Sequence, residues 1–141
     1  MRGIGDVAVA IDECAALRFE ERGVSEEVAA KMRGGVFVMT GETTLDESAA
    51  VLSLCDLLVT NDTGPAHVAA AVGCPVVVIF GPTNPVTTRP FSASAEVVRR
   101  PPDCAPCMLR DCPIDHRCMT AVTPEAVYAR ALERLGAEVA R

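Results

Sequence analysis

Apolar positions are densest between Asp56 and Thr83, a stretch reading DLLVTNDTGPAHVAAAVGCPVVVIFGPT. Leu57 to Thr60 and Val76 to Phe80 are short runs with no polar alternation. Such runs predict strands covered on both faces, and therefore a parallel sheet. Between them, the polar turn Asn61-Asp62-Thr63-Gly64 leads into Pro65. Proline suits a first helical position, because the N–H it lacks would be unpaired there. Ala66 to Val72 continue as a small apolar helix, and Gly73 stands where a left-handed C-cap belongs. Strand, turn, helix and strand make one crossover unit of an α/β fold.

The pattern on either side is weaker but readable. Asp6 to Arg22 place Val7, Ile11, Cys14, Ala15 and Phe19 near one face, predicting a helix that stops at Gly23. Ser25-Glu26-Glu27 reads as the cap of a second short helix ending at Gly34-Gly35. Val36 to Met39 predict a strand. Thr44-Leu45-Asp46-Glu47 is a capping box, whose hydroxyl and carboxylate each satisfy a backbone donor of the other. It predicts a helix to about Leu54, with Leu45, Ala49 and Leu52 toward the sheet. Glu96 to Val98 predict a last, shorter strand. Thr123-Pro124-Glu125 starts a final helix to Leu135, with Val127, Tyr128, Ala131, Leu132 and Leu135 as its packing stripe. The expected organisation is one α/β domain over residues 1–141. Its core is 6–100, followed by a cysteine-rich loop at 101–123 and a terminal helix at 124–136.

Composition narrows the functional classes. The chain has 141 residues, half of them apolar, enough for one domain with a core. No run approaches the ~20 apolar residues of a membrane span. A net charge of −6 argues against a nucleic-acid partner, which needs a basic face. Only Lys31 among the 13 basic residues is lysine, so lysine chemistry has almost no candidates. Tryptophan is absent and aromatics are few, which disfavours stacking platforms.

The chemistry gathers at the turn. In an open α/β sheet, ligands bind beyond the carboxyl ends of the strands, where the Asp62–Gly64 turn is expected. The helix beginning at Pro65 directs free N–H groups and roughly half a unit of positive charge at that edge. Gly64 lets an anion approach the backbone, and His67 in the first turn adds a donor. Together these suggest a phosphate or diphosphate site. The bland alternatives are that Asp62 and Thr63 only cap the helix and that His67 is a buried, satisfied core residue. Thr83 and Arg89 are expected at the same edge, with a solvated arginine as the plain alternative.

The chain has seven cysteines. The first residues lack the apolar segment of a signal peptide, so a disulfide framework is not the default expectation. Cys14, Cys55 and Cys74 sit singly in apolar settings and read as core residues. Cys104, Cys107, Cys112 and Cys118 supply the four thiolates of a structural zinc site, with His116 as a spare ligand. Unliganded thiols or chance disulfides fit the spacing as well.

DTGPAH, the following GCPVVVIFGPTNP, and CAPC, CPIDHRCM and TPEAV farther on resemble the C-terminal half of the bacterial lipopolysaccharide heptosyltransferases. These are the ADP-heptose-using glycosyltransferases of family 9. The resemblance covers Gly41 to about Leu135. It implies a Rossmann-like parallel sheet with helices on both faces, an incomplete C-terminal domain of the two-domain GT-B architecture. It further implies that Thr63 and Gly64 meet the donor's diphosphate through their N–H groups, with His67 as a phosphate donor, and that Thr43 and Thr44 line the nucleotide pocket. Asp62, which a diphosphate would repel, is implied to accept from donor-sugar or ribose hydroxyls or to pin the turn. Thr44 has capping as its plain alternative. No residue is nominated as the catalytic base, which the resemblance assigns to an N-terminal domain that also holds a lipid A–core acceptor. No cofactor is required, structural zinc apart. The setting implied is cytoplasmic, peripheral at the inner face of the inner membrane.

The family's first strand and phosphate loop have no counterpart before residue 6, and a second strand is also missing. The chain is therefore expected to be less than a whole donor-binding half. Competing functions are a non-catalytic nucleotide-binding module and an interaction domain stapled by metal in the cysteine loop.

Overall fold

A computed structural model describes residues 18–33 and 35–136, with side-chain surroundings described from Arg22 onward. The helix expected at 6–22 thus lies largely outside the described residues. Six helices and three strands follow one another among those described. They are α1 (Arg18–Lys31), α2 (Leu45–Leu54), β1 (Leu58–Asn61), α3 (Gly64–Ala71), β2 (Val76–Phe80), α4 (Pro85–Thr88), β3 (Ala95–Arg99), α5 (Arg117–Thr120) and α6 (Pro124–Arg134).

The expected crossover unit is present. The strands form a parallel sheet in the order β1-β2-β3, with Leu58 opposite Val76 and Phe80 opposite Arg99. Val76, Val78 and Phe80 join Leu52, Leu58, Ala66, Ala69 and Cys74 in one buried cluster, the side covered by α2 and α3. Val77 is equally buried but lies outside that cluster, because successive strand residues point to opposite faces. Its neighbour in register, Glu96, is bonded to Arg134 of α6 at 3.0 Å. So α6 covers the second face, and the absence of alternation in β2 has its cause. Each fully buried Val or Phe contributes about 1.5–3 kcal/mol.

Local signals account for most boundaries. Thr44 and Glu47 form the reciprocal capping box at the start of α2. Gly73 adopts φ 84°, and Cys74 N–H donates to Ala69 O at 2.9 Å, closing α3 with a left-handed turn. Thr123 Oγ1 accepts from Ala126 N–H to open α6.

Four expectations fail. Gly23 does not stop a helix and Ser25 does not cap one: α1 runs through both. Glycine within a helix costs about 1 kcal/mol. Here a local pair, Arg22 with Glu26 at 3.0 Å, and two long-range bonds offset it: Arg22 pairs with Glu42 at 2.6 Å, and the buried Ser25 hydroxyl bonds Thr40 Oγ1 at 2.8 Å. Val36–Met39 is not a strand among the described residues, and Phe37 is 74% exposed. A strand exists only with a partner for its N–H and C=O groups, and among the described residues the sheet begins at β1. Leu45 points to solvent, 69% exposed, while Leu52 is buried. Leu45 opens the helix at the sheet's carboxyl edge, above the core. Tyr128 is likewise exposed, and α6 buries no residue fully; ion pairs at the rim tie it to β3.

Candidate functional site

The carboxyl ends of β1 and β2 open onto two turns, Asp62-Thr63 and Gly81-Pro82-Thr83. Asp62 N–H donates to Ile79 O at 3.1 Å, continuing the ladder one residue past β1 and fixing where the chain leaves the sheet. From there α3 starts back toward the amino edge, so its N-terminus faces the crevice.

Neither Asp62 nor Thr63 spends its side chain on capping α3. Thr63 is in extended conformation with no side-chain cap bond; its hydroxyl lies 3.4 Å from Thr60 Oγ1 and from Asn61 O. Asp62 Oδ2 accepts from Thr88 Oγ1 at 3.1 Å, and Thr88 Oγ1 also lies 3.0 Å from Asn84 O. The carboxylate is thus turned across to α4. Among the described residues, the Thr63 and Gly64 amides donate to no protein acceptor, whereas Ala66 N–H is taken by Thr63 O. A Cβ built on Gly64 would meet nothing within 4 Å, so space lies open in front of those amides. His67 is exposed and makes no hydrogen bond among the described residues, which removes the reading of a buried histidine. The turn therefore offers two free N–H groups, a helix dipole and an imidazole around open space, suited to an anion.

Thr43 and Thr44 reach the same edge by topology. The C-terminus of α2 leads into the amino end of β1, and ten residues of helix return its start about 15 Å to the carboxyl edge. Both hydroxyls have local work, however. Thr43 Oγ1 bonds Ser48 Oγ at 2.8 Å, and Thr44 Oγ1 and N–H both bond Glu47 Oε2. The Thr44 N–H, then its hydroxyl, hold the Glu47 carboxyl below its usual range.

The sequence reading missed α4 and the role of Thr88. Asn84-Pro85 carried the signal, a capping residue before a proline at the first helical position, and Asn84 Oδ1 does accept from Val86 N–H at 3.0 Å. Thr83 Oγ1 is buried at the end of β2 without a partner, and Arg89 is exposed at the end of α4.

The cysteine loop folds against the second turn. Met108 N–H donates to Pro82 O at 3.0 Å, and the Met119 side chain occupies the space a Cβ on Gly81 would fill. Cys104, Cys107, Cys112 and Cys118 line one cavity of about 50 Å³ with His116 and Arg117. The expected four-thiolate zinc site is not formed: among the described residues, no three His, Cys, Asp or Glu side chains gather in a group able to hold a metal. The thiols differ in setting. Cys112 Sγ accepts from His116 N–H at 3.4 Å, Cys118 is buried beside Gly81, and Cys104 is exposed. Bonds from the Ile114 and His116 amides hold the Cys112 thiol below its usual range. Burial instead raises Cys55 and Cys74, the two cysteines against the core.

Among the described residues, no helix is long and apolar enough to cross a membrane. The profile of glycosyltransferase family 9 (heptosyltransferase) matches residues 14–117. Lipooligosaccharide heptosyltransferase 2 of Campylobacter jejuni is 37% identical over 95 residues, which are 66% of this chain and 30% of that protein. Lipopolysaccharide heptosyltransferase 2 of Escherichia coli is 44% identical over 61 residues, 43% of this chain and 18% of that one. The solved ADP-heptose lipopolysaccharide heptosyltransferase II of E. coli matches with a TM-score of 0.66 at 26% identity, over 91% of this chain and 35% of its own. A family 9 glycosyltransferase from Veillonella parvula shares the fold, with a TM-score of 0.73 at 23% identity, over 92% of this chain and 46% of its own. The matched regions are less than half of each of these proteins. With a parallel α/β sheet and the profile match across most of its length, the chain belongs to glycosyltransferase family 9, the heptosyltransferase family.

Proposed function

We propose that this chain is the donor-binding part of a heptosyltransferase, taking a nucleotide sugar of the ADP-heptose type for lipopolysaccharide core assembly in the cytoplasm. The observation that supports it most is the α3 N-terminus, where the Thr63 and Gly64 amides are free and the space before Gly64 is open. The diphosphate lies against those amides, with His67 as a further donor. Asp62, directed to Thr88, holds the turn and keeps its charge from the phosphates. Thr43 and Thr44 border the nucleotide from the start of α2.

In the transfer, an acceptor hydroxyl attacks the anomeric carbon as the bond from that carbon to the diphosphate oxygen breaks. ADP leaves with the electron pair, and the hydroxyl proton passes to a base. The role of this chain is to stabilise the negative charge growing on the leaving diphosphate with pre-aimed amides. The base and the lipid A–core acceptor belong to the N-terminal domain of a whole enzyme.

Titration with ADP tests the reading. Gly64→Val fills only open space, so thermal stability should hold while ADP affinity falls, because the side chain blocks the close backbone approach that glycine allows. Unchanged affinity in that variant would remove the site. The chain alone should give no turnover with ADP-heptose and a lipid A–Kdo acceptor, because transfer needs acceptor and base held in line. Acceptor-dependent ADP release by this chain would place the base here.

A further inference from the structure

The turn suited to an anion has a carboxylate built into it. Asp62 stands directly before Thr63 and Gly64, whose amides are free among the described residues. Two residues of chain span at most about 7 Å, so the carboxylate stays on the order of 7–10 Å from an anion held there. Asp62 is half-buried, and its Oδ2 accepts from Thr88 Oγ1 at 3.1 Å. Among the described residues that hydroxyl is the one donor to the carboxylate, and no arginine, lysine or histidine pairs with it. Thr88 is in turn placed by α4. Its Oγ1 lies 3.0 Å from Asn84 O, and Asn84 Oδ1 caps the helix by accepting Val86 N–H at 3.0 Å. A carboxylate without a countercharge repels every further negative charge brought near it.

We propose that Asp62, held on Thr88, makes the crevice select its ligand by charge, favouring a diphosphate esterified at both ends over free ADP and ATP. The inference rests on reading the α3 N-terminus as the diphosphate site. A nucleotide sugar is such a diester and carries about two negative charges. Free ADP carries about three at pH 8 and ATP about four, because a terminal phosphate takes its second charge above about pH 6. At 7–10 Å in a water-like medium, each extra charge lowers affinity about two- to threefold. The donor is thereby favoured over the ADP that leaves after transfer. Thr88 is the positioning residue of this filter. Without its hydroxyl, the carboxylate is drawn to the free amides at the start of α3, where a negative side chain is favoured, and competes with every anion there.

Calorimetric titration at pH 8 with ADP-ribose, ADP and ATP tests this. Asp62→Asn keeps an oxygen for Thr88 and removes the charge. Relative to ADP-ribose, it should raise ADP affinity about two- to threefold and ATP affinity about four- to ninefold, and high salt should shrink both ratios. Thr88→Val should weaken all three ligands, ATP most, whereas Thr88→Ser should bind as the native chain does. Adding Asp62→Asn to Thr88→Val should restore binding, which simple damage to α4 would not allow. An equal shift of all three ligands in Asp62→Asn would overturn the charge selection and leave the diphosphate site standing. Native affinities in Thr88→Val would overturn the role given to Thr88. Failure of the native chain to bind any of the three would remove the site, and the selection with it.

Discussion

Gly81 ends β2 where the strand turns toward the candidate site, and its missing side chain is occupied by another residue. A Cβ placed there would run into Met119 Sδ, lie 2.9 Å from Met119 Cγ, and sit 3.7 Å from Cys118 Sγ. The perturbation is Gly81→Ala. Forcing a methyl into filled space costs about 1–3 kcal/mol. Against it stands a gain of about 0.4–1 kcal/mol, because alanine has fewer unfolded conformations and Gly81 is not left-handed. The net loss is about 0–2.6 kcal/mol. An unfolding entropy of about 2.1 cal/mol/K per residue makes 1 kcal/mol worth about 3–4 °C at this length, so Tm should fall by up to about 9 °C. The decisive arm is the double variant. With Met119→Ala already in place the clash is gone, and adding Gly81→Ala should then leave Tm unchanged or raise it. Thermal unfolding followed by circular dichroism on the four proteins of the cycle measures both numbers. An equal fall in the two backgrounds would refute the assignment of the cost to Met119.

The two leucines of α2 should separate cleanly: Leu52→Ala opens the cluster under the sheet and should cost about 2–5 kcal/mol, whereas Leu45→Ala should stay within about 0.5 kcal/mol. Comparable losses in urea titrations would mean that the exposed face of α2 is misplaced. Thr44→Ala should cost about 1 kcal/mol through the lost cap. The folded Glu47 carboxyl titrates below its unfolded value, so its contribution is fully present above the ordinary glutamate range and is lost as pH falls through the lowered value. Glu47→Gln should flatten that part of the acid-unfolding curve, and an unaltered curve would contradict the capping geometry.

What was legible in the sequence was whatever rests on local chemistry. The βαβ unit was readable because β2 has no alternation and Gly73 can adopt φ 84° without a Cβ penalty. The capping box was readable because Thr44 and Glu47 are three residues apart. What failed depended on partners distant in the chain. Gly23 and Ser25 look like a stop and a start until Glu42 bonds the neighbouring Arg22 and Thr40 bonds Ser25 across the chain. Val36–Met39 has strand composition but no strand beside it among the described residues. At the candidate site, the turn, Gly64 and the first-turn His67 followed from spacing. The diversion of Asp62 to Thr88, 26 residues away, could not. The cysteine spacing allowed a zinc site or unliganded thiols, and four sulfurs in one loop do not reveal that they differ in burial and that Cys112 accepts a backbone N–H.

The strand order has a consequence for how the molecule assembles. Each strand pairs with the next in the chain, across connections of residues 62–75 and 81–94. Among the described residues no strand is inserted between two earlier ones, so these pairings close short loops and lose little chain entropy before they gain contacts. The Asp62–Thr88 bond lies inside the same interval, so the candidate crevice takes shape with the sheet that supports it. The unit from Leu58 to Arg99 is therefore expected to form first as the chain emerges from the ribosome, with α6 closing the second face when Arg134 reaches Glu96. Until then Val77, at the centre of that face, has no cover from α6, and the interval before α6 docks is when the young chain is most open to self-association.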